Sequence, residues 1–268
     1  MRTLIALFIA QLVFFHPLLY ADNSQKRLEQ ERFEQAYARV KKSLTPLQLH
    51  QLMFDNDTAV GNKRPFDQID FSQVVEVSSY DELILIFKTI RDARFLHAKN
   101  NTQFERRISW LYPDDGCFAR AAMAGIKLET EHLIRPSKLY SFGELTVNTP
   151  YSPNGYVGWW YHVAPVVKYM GVPYVLDPAI NANAPMTAGE WFATMGVTDE
   201  IEGTACNSYS YGPFDKCIKA TDQSGKKAQK DQIKYLDLEW QRVSHLGFDP
   251  ILILGANPPW LASYTLYG

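Results

Sequence analysis

Three side chains in the middle of the sequence, Cys117, His162 and Asp177, are of the types that together catalyse acyl transfer. A cysteine thiolate attacks carbonyl carbon, a histidine takes its proton and later returns one to the leaving group, and a carboxylate orients the imidazole. Each residue alone has an ordinary structural explanation: a buried apolar thiol, a core histidine, an Asp-Pro turn. Because the predicted elements could bring these three residues together, a Cys-His-Asp triad is our leading hypothesis.

Cys117 is predicted to lie in the first turn of a helix. The Tyr-Pro-Asp-Asp-Gly run at residues 112–116 ends an extended segment and permits a tight turn, and the alanine-rich stretch from Cys117 to Leu128 favours helix. Unpaired backbone N–H groups and the positive end of the helix dipole stabilise a thiolate at such a position. The sequence therefore predicts a reactive thiol, with a small residue packed beneath the helix start as the structural alternative.

His162 and Asp177 are predicted to face each other across a β-hairpin that turns near Gly171. The residues on both sides of the turn alternate in the manner of strands. With a loop at residues 168–171, His162 would lie directly opposite Asp177, within hydrogen-bonding reach of its carboxylate. Pro165 inside the first strand predicts an edge position or a bulge there, because proline cannot donate a hydrogen bond to the ladder.

The first 21 residues have the layout of a secretory signal peptide. Arg2 precedes an apolar run, which is followed by Pro17 and by a small residue, Ala21, at the expected cleavage point. The apolar run is short for a membrane span. We therefore exclude residues 1–21 from the fold and expect a protein that is secreted or exported to the periplasm.

The sequence contains 3 cysteines, and their spacing bears on the reactive thiol. Cys206 and Cys217 lie close together in a polar, loop-like stretch. In an oxidising compartment such a pair is expected to form a disulfide that closes a short loop. Cys117 is then the odd cysteine, which in an exported protein would be a partner-seeking or a reactive thiol.

The composition is that of an ordinary globular protein. With 46% hydrophobic residues, 13% aromatic residues and a formal net charge of -2, the chain can form a packed core but has no electrostatic attraction to nucleic acid or anionic membrane. Nothing after the signal segment has the length or purity of a membrane span. We expect one domain of moderate size preceded by an extension.

The mature chain is divided here into a helical N-terminal extension at residues 22–70 and a catalytic domain at residues 71–268. Apolar residues recur at steps of four and three early in the extension and predict an amphipathic helix, and a second, shorter helix follows. The extension is either a pro-segment that covers the active cleft until it is cut or a helical hairpin that packs on the body. The Lys63-Arg64 pair would suit a trypsin-like processing enzyme.

The catalytic domain is predicted to begin with a strand at residues 74–77, followed by a helix that starts within residues 78–82. After the Cys117 helix, residues 138–143 and 144–147 each predict a strand. Helix would thus come first, and mainly strands would follow.

Three blocks of sequence carry a resemblance to a known family. They are Tyr-Pro-Asp-Asp-Gly-Cys-Phe-Ala-Arg-Ala at residues 112–121, Trp-Trp-Tyr-His-Val-Ala at 159–164 and Val-Leu-Asp-Pro at 175–178, with a later Pro-Met-Thr at 185–187 and Trp191. In this order the blocks resemble the bacterial protein-glutaminases, also called protein-glutamine deamidases. The likeness runs from about residue 74 to residue 254 and is weak after Trp191.

The resemblance implies an α+β fold similar to the cores of transglutaminases and papain-like proteases, with a nucleophile-bearing helix packed on an antiparallel sheet. It places the roles of nucleophile, base and orienting acid on Cys117, His162 and Asp177. Members of the family are secreted, are made with a signal and a pro-region, and need no cofactor; we also expect no metal site.

The activity implied is hydrolysis of glutamine side-chain amides in proteins and peptides, which yields glutamate and ammonia. Substrates would be proteins or peptides with exposed glutamine, and we expect a monomer that binds neither nucleic acid nor membrane after signal removal. Trp159, Trp160 and Tyr161 would wall the cleft as substrate-binding residues, unless they pack in the core. The sequence leaves open a transglutaminase or cysteine protease on the same triad, or a non-catalytic exported binding module.

Overall fold

The computed structural model describes residues 25–54, 56–98, 101–221, 224–255 and 266–267. The signal peptide assigned to residues 1–21 lies outside the described residues. Within the described ranges, no helix combines the length and the apolar character needed to cross a membrane.

Helices and antiparallel strands are mixed along the chain, which gives the predicted α+β class. The helices are α1 (Phe33–Lys41), α2 (Pro46–Phe54), α3 (Tyr80–Asp92), α4 (Cys117–His132), α5 (Ala188–Met195), α6 (Ser224–His245) and α7 (Pro250–Leu254), with 3-10 turns at Phe66–Gln68 and Thr198–Glu200. The strands are β1 (Arg64–Pro65), β2 (Leu96–Ala98), β3 (Asn101–Arg106), β4 (Ser137–Asn148), β5 (Tyr156–Tyr169), β6 (Val172–Val175), β7 (Met186–Thr187), β8 (Glu202–Cys206) and β9 (Leu266–Tyr267).

The larger sheet has 6 strands in the order β1-β8-β4-β5-β6-β7, and all of its neighbouring strands are antiparallel. Its two faces are covered differently because successive side chains of a strand point to opposite sides. On β4, Tyr140 belongs to the apolar cluster that includes the start of α4, and the adjacent Leu139 belongs to the cluster that includes α5. The helix that begins at Cys117 therefore packs on one face of an antiparallel sheet, as predicted.

The alanine-rich helix α4 is buried over most of its length. Small side chains such as Ala121 let it lie close to β5, and its other side contacts α3 and α6. Leu133 ends the helix in the left-handed conformation, with its N–H donating to the carbonyl of Leu128. Fixed on several sides, α4 gives Cys117 a rigid support.

The predicted extension is joined to the body at several points. In α1, the Tyr37 ring lies 6.1 Å from Trp160 and 6.0 Å from Phe214. The N–H of Cys217 donates to the carbonyl of Asp57 over 2.8 Å. Strand β1, which falls within the residues assigned to the extension, pairs with β8 and so completes one edge of the main sheet.

The structure differs from the sequence-based expectations at three points. Residues 74–77 do not form a strand; they make only an isolated bridge from Glu76 to Lys168. The two strands predicted at 138–143 and 144–147 are one strand, β4, with an irregularity between Phe142 and Leu145. The C-terminal part is not mainly strand, because α6 is the longest of the described helices.

Candidate functional site

The turn before Cys117 is held by a buried arginine of the same helix. Nη1 of Arg120 donates to the carbonyl oxygens of Tyr112 at 3.0 Å and Asp115 at 2.8 Å. Gly116 adopts a φ of +90°, and a Cβ there would lie 2.9 Å from the ring of Tyr235. Only glycine therefore fits the position immediately before the cysteine. Sequence reasoning did not assign Arg120 a role, although a lone arginine in an alanine-rich helix was a usable signal.

Cys117 is the N-terminal residue of α4 and is the free cysteine of the described residues. Burial raises the pKa of its thiol above the ordinary value; Arg120 and hydrogen bonds from Tyr161 and the backbone of Val163 act in the opposite direction, but burial outweighs them. In this closed arrangement the helix start alone does not produce the predicted thiolate. Formation of the Cys117 thiolate therefore requires exposure of the thiol to solvent or a nearby base that takes its proton.

The hairpin carrying His162 and Asp177 has a register different from the predicted one. Tyr169 pairs with Val172, so the loop consists of Met170 and Gly171 alone, both with positive φ as a two-residue turn requires. The register is thus displaced by two positions from the expected one, which leaves every side chain on its original face. Asp177 follows the end of β6 and still reaches His162.

Pro165 occupies the point where the pairing of β5 with β6 gives out. The N–H of Leu176, just beyond β6, donates to the carbonyl of Pro165 over 2.8 Å. The backbone nitrogen of Pro165, which has no hydrogen to donate, lies beyond the last residue pair of the two strands, Val166 with Val175. The edge position or bulge predicted at Pro165 is absent: β5 lies between β4 and β6 in the sheet, and the irregularity of its pairing with β4 lies between Phe142 and Leu145.

His162 and Asp177 form a buried hydrogen-bonded pair. Nε2 of His162 lies 2.7 Å from Oδ2 of Asp177, which also accepts from Nε1 of Trp191 at 2.9 Å. Burial alone would raise the pKa of Asp177, but the interactions with His162 and Trp191 hold it below its ordinary value. The carboxylate is therefore ionised, and the proton of a neutral imidazole is on Nε2.

The other imidazole nitrogen contacts a glutamine from the N-terminal extension. Nε2 of Gln25 lies 2.8 Å from Nδ1 of His162, and Oε1 of Gln25 accepts from the backbone N–H of Cys117 over 3.5 Å. The Gln25 side chain is fully buried. The amide of Gln25 therefore bridges His162 and the start of α4, and the hydrogen bonds of the described residues include none directly between the Cys117 thiol and His162. Nothing in the sequence around Gln25 pointed to this position.

The three aromatic residues proposed to wall the cleft are all buried. Trp159 stacks on His162 with ring centroids 4.5 Å apart and an 11° interplanar angle, and its Nε1 donates to the carbonyl of Pro113 over 2.7 Å. Trp160 packs among aromatic rings of α1 and β4, and Tyr161 hydrogen-bonds the Cys117 thiol. Trp160 and Tyr161 also border a cavity of about 240 Å³.

The last two features of the site region are the disulfide and the arrangement of side chains that could bind a metal ion. Cys206 and Cys217 form a disulfide that joins the end of β8 to the following loop. No group of three or more His, Cys, Asp or Glu side chains within the described part of the chain is arranged to hold a metal ion.

Comparison with known proteins adds a family match. Residues 83–195 match the family model described as Glutaminase, a range that contains Cys117, His162 and Asp177. No curated protein matches the chain.

Several solved structures are similar. A crystal structure of protein-glutaminase has 20% identity, with 62% of this chain and 89% of that chain covered and a TM-score of 0.45. A crystal structure of pro-protein-glutaminase has 20% identity, with 71% and 68% covered and a TM-score of 0.45. The NMR structure of protein-glutaminase from Chryseobacterium proteolyticum has 18% identity, with 70% and 96% covered and a TM-score of 0.43.

Proposed function

Residues 83–195 belong to the glutaminase family, and on that premise we propose that this chain is an enzyme that hydrolyses glutamine side-chain amides. Its substrates are glutamine residues of proteins or peptides, and its products are glutamate and ammonia. Cys117 is the nucleophile, His162 the general base and acid, and Asp177 the residue that orients the imidazole.

One observation carries the proposal. A primary amide, that of Gln25, sits with its nitrogen 2.8 Å from Nδ1 of His162 and its oxygen 3.5 Å from the N–H of Cys117. These are the contacts that amide hydrolysis needs: an acid beside the departing nitrogen and a donor beside the oxygen that becomes negative. A glutamine side chain is thus the kind of group that this site accommodates.

The reaction proceeds through a thioester. Transfer of the thiol proton to Nδ1 of His162 gives a thiolate, which overcomes the raised pKa that burial imposes on Cys117. Sulfur attacks the amide carbon, the N–H of Cys117 donates to the oxyanion, and the imidazolium protonates ammonia as the C–N bond breaks. A water deprotonated by the same histidine then attacks the thioester, which gives the acid and restores the thiol.

Asp177 acts through the imidazole. Its carboxylate accepts from Nε2 of His162 over 2.7 Å, which keeps Nδ1 directed at the substrate amide and stabilises the imidazolium formed during attack. Trp191 and the turn N–H of Ala179 hold the carboxylate in place. Trp159 stacks on the imidazole of His162 and keeps the plane of that ring fixed.

We also propose functions for the signal peptide and for the N-terminal extension. Residues 1–21 direct export, and within the extension at residues 22–70 the part up to Lys63 forms a pro-segment whose Gln25 fills the site. Lys63, which forms an ion pair with Glu202, and the exposed Arg64 offer a cleavage point at the beginning of β1. Substrates are expected to be proteins with accessible, extended glutamine-bearing segments.

The test is ammonia release from a glutamine-rich unfolded protein, with intact mass measured in parallel. The Gln25→Ala variant, cut between Lys63 and Arg64 so that the extension no longer covers the site, serves as the parent because it also lacks the site's own amide, and Cys117→Ala is made and cut on that background. Ser244→Ala, on an exposed part of α6, is the matched control. We expect ammonia and a gain of one dalton per site from the parent and the control, and neither product from Cys117→Ala.

Other results would contradict deamidation. Incorporation of an added amine in place of water would identify a transglutaminase, and new peptide fragments without glutamate formation would identify a protease. Equal ammonia release with and without Cys117 would remove the cysteine from the mechanism.

A further inference from the structure

The Gln25 segment is bound as an added β-strand. The carbonyl of Gln25 accepts from the N–H of Trp160 over 3.2 Å, Lys26 makes an antiparallel bridge to Trp159, and the N–H of Arg27 donates to the carbonyl of Gly158 over 2.8 Å. Main-chain pairing of this kind fixes an extended segment in one register and leaves alternate side chains to enter pockets. Here the side chain that enters is an amide.

Charged side chains next to Gln25 reinforce that register. Nζ of Lys26 lies 3.1 Å from Oδ2 of Asp114, in the turn that leads to Cys117. Nε of Arg27 donates to the carbonyl of Trp159 over 3.0 Å, and its Nη2 donates to the carbonyl of Leu145 over 3.2 Å. The segment is therefore anchored on both the nucleophile's turn and the strand that carries the base.

From this geometry we infer that Gln25 is itself a substrate: the chain's own Cys117 deamidates the side chain of Gln25 to a glutamate within the same molecule. The inference rests on the proposed function and extends it to a modification site in the chain. The reacting groups are pre-positioned by folding, so the step is unimolecular, and well-oriented intramolecular reactions gain greatly over the same groups in dilute solution.

The atoms balance with water as the co-reactant. The Cys117 thiol loses its proton to Nδ1 of His162, a bond forms between sulfur and Cδ of Gln25, and the Cδ–Nε2 bond breaks as Nδ1 protonates the nitrogen. Ammonia departs, and a thioester then joins residues 25 and 117. Water adds to the thioester carbon, its proton goes to Nδ1 and then to sulfur, and the C–S bond breaks to leave a glutamate side chain at position 25.

The product fits the site less well than the substrate. Nε2 of Gln25 donates to Nδ1 of a neutral imidazole, whereas an ionised carboxylate has no proton to give and keeps this contact only when Nδ1 itself carries a proton. The fully buried position of residue 25 would then hold a third carboxyl group in addition to those of Asp115 and Asp177. Self-deamidation therefore weakens the hold of the segment on the site and favours its release after one turnover.

The experiment is peptide mapping of the purified full-length chain over time. We expect residue 25 to be converted to glutamate in the wild type and to remain glutamine in Cys117→Ala. Gln35, an exposed glutamine that caps α1 in the same segment, is the internal control and should keep its amide. The conversion rate should be unchanged when the protein is diluted. A species lighter by one ammonia is the thioester between residues 25 and 117, and supports the inference equally.

External activity separates this inference from the proposed function. If Gln25→Ala releases ammonia from a glutamine peptide while Gln25 of the wild type stays an amide, self-deamidation is refuted and the function stands. Conversion that slows on dilution, or that occurs equally in Cys117→Ala, also refutes it. If Gln25→Ala acts on no external glutamine but residue 25 is converted, the inference stands and the proposed function on other proteins fails.

Discussion

Replacement of Asp177 by asparagine tests the orienting role most directly. The carboxylate now accepts from three donors: His162 and Trp191 at Oδ2, and the N–H of Ala179 at Oδ1 over 3.2 Å. An asparagine has one acceptor oxygen. With that oxygen toward His162, its NH₂ group opposes the N–H of Ala179; with the amide reversed, the NH₂ group opposes both His162 and Trp191.

The expected magnitude follows from the less costly of these two orientations. It preserves the imidazole tautomer but removes the charge that stabilises the imidazolium, a loss of about 1.5–3 kcal/mol for a hydrogen bond to a charged group. At a tenfold rate change for each ~1.4 kcal/mol, kcat/KM should fall roughly 10- to 150-fold. The reversed orientation puts the imidazole proton of His162 on Nδ1, so that Nδ1 cannot act as a base and kcat/KM falls further.

The assay compares kcat and KM for ammonia release by Asp177→Asn and its parent, both carrying Gln25→Ala. Asp199→Asn, which removes the same charge from an exposed 3-10 turn, is the control and should match the parent. The loss should be in kcat, because the interaction strengthens only as the imidazolium forms. A folded Asp177→Asn variant with the parent's kcat/KM would refute the role assigned to Asp177.

The other predictions concern stability. The pKa of Asp177 in the folded state lies below its ordinary value. The stabilising contribution of its carboxylate is therefore complete above the ordinary pKa and is lost as the pH falls through the lower pKa of the folded state. The unfolding free energies of wild type and Asp177→Asn should converge in acid. Replacing Cys206 and Cys217 by serine should cost about 3 kcal/mol in urea unfolding, given the separation of 11 residues, with reductant on the wild type giving the same loss; no change would argue against the bond. Gly116→Ala should cost about 1–2 kcal/mol for its left-handed backbone plus the contact with Tyr235, whereas Gly155→Ala, also at positive φ but with open space around it, should show the backbone cost alone. Equal losses for the two glycines would mean that the ring of Tyr235 moves aside.

The parts of the site that obey local rules were predictable from the sequence. The Pro-Asp-Asp-Gly turn and the alanine-rich run correctly placed the start of α4 at Cys117. The contact between His162 and Asp177 is also present, although the register behind it was wrong. It survived because a displacement by two residues preserves the face of a strand. The two-residue loop was missed because it requires positive φ at Met170, a residue that seldom adopts it.

What the sequence did not disclose depends on contacts between distant residues. Helix α6 has a polar, lysine-rich sequence, and its helical state is stabilised by packing of residues such as Tyr235 and Leu236 against α4 and its neighbours. Gln25 lies 137 positions from His162 in the chain, and no local pattern distinguishes it from other glutamines. The raised pKa of Cys117 likewise follows from burial by elements that a helix-start argument does not include.

Trp159 connects parts of the molecule that must keep a constant spacing. Its ring lies flat on His162, its indole N–H holds the carbonyl of Pro113 in the nucleophile's turn, and its backbone receives the strand of Lys26 and Arg27. One rigid side chain thus serves as a spacer that sets His162, the turn before Cys117 and the segment at residues 26–27 relative to one another. Under the proposed function, attempts to redesign which glutamines are accepted should therefore vary the residues that contact the flanking side chains, such as Asp114, and leave the indole of Trp159 unchanged.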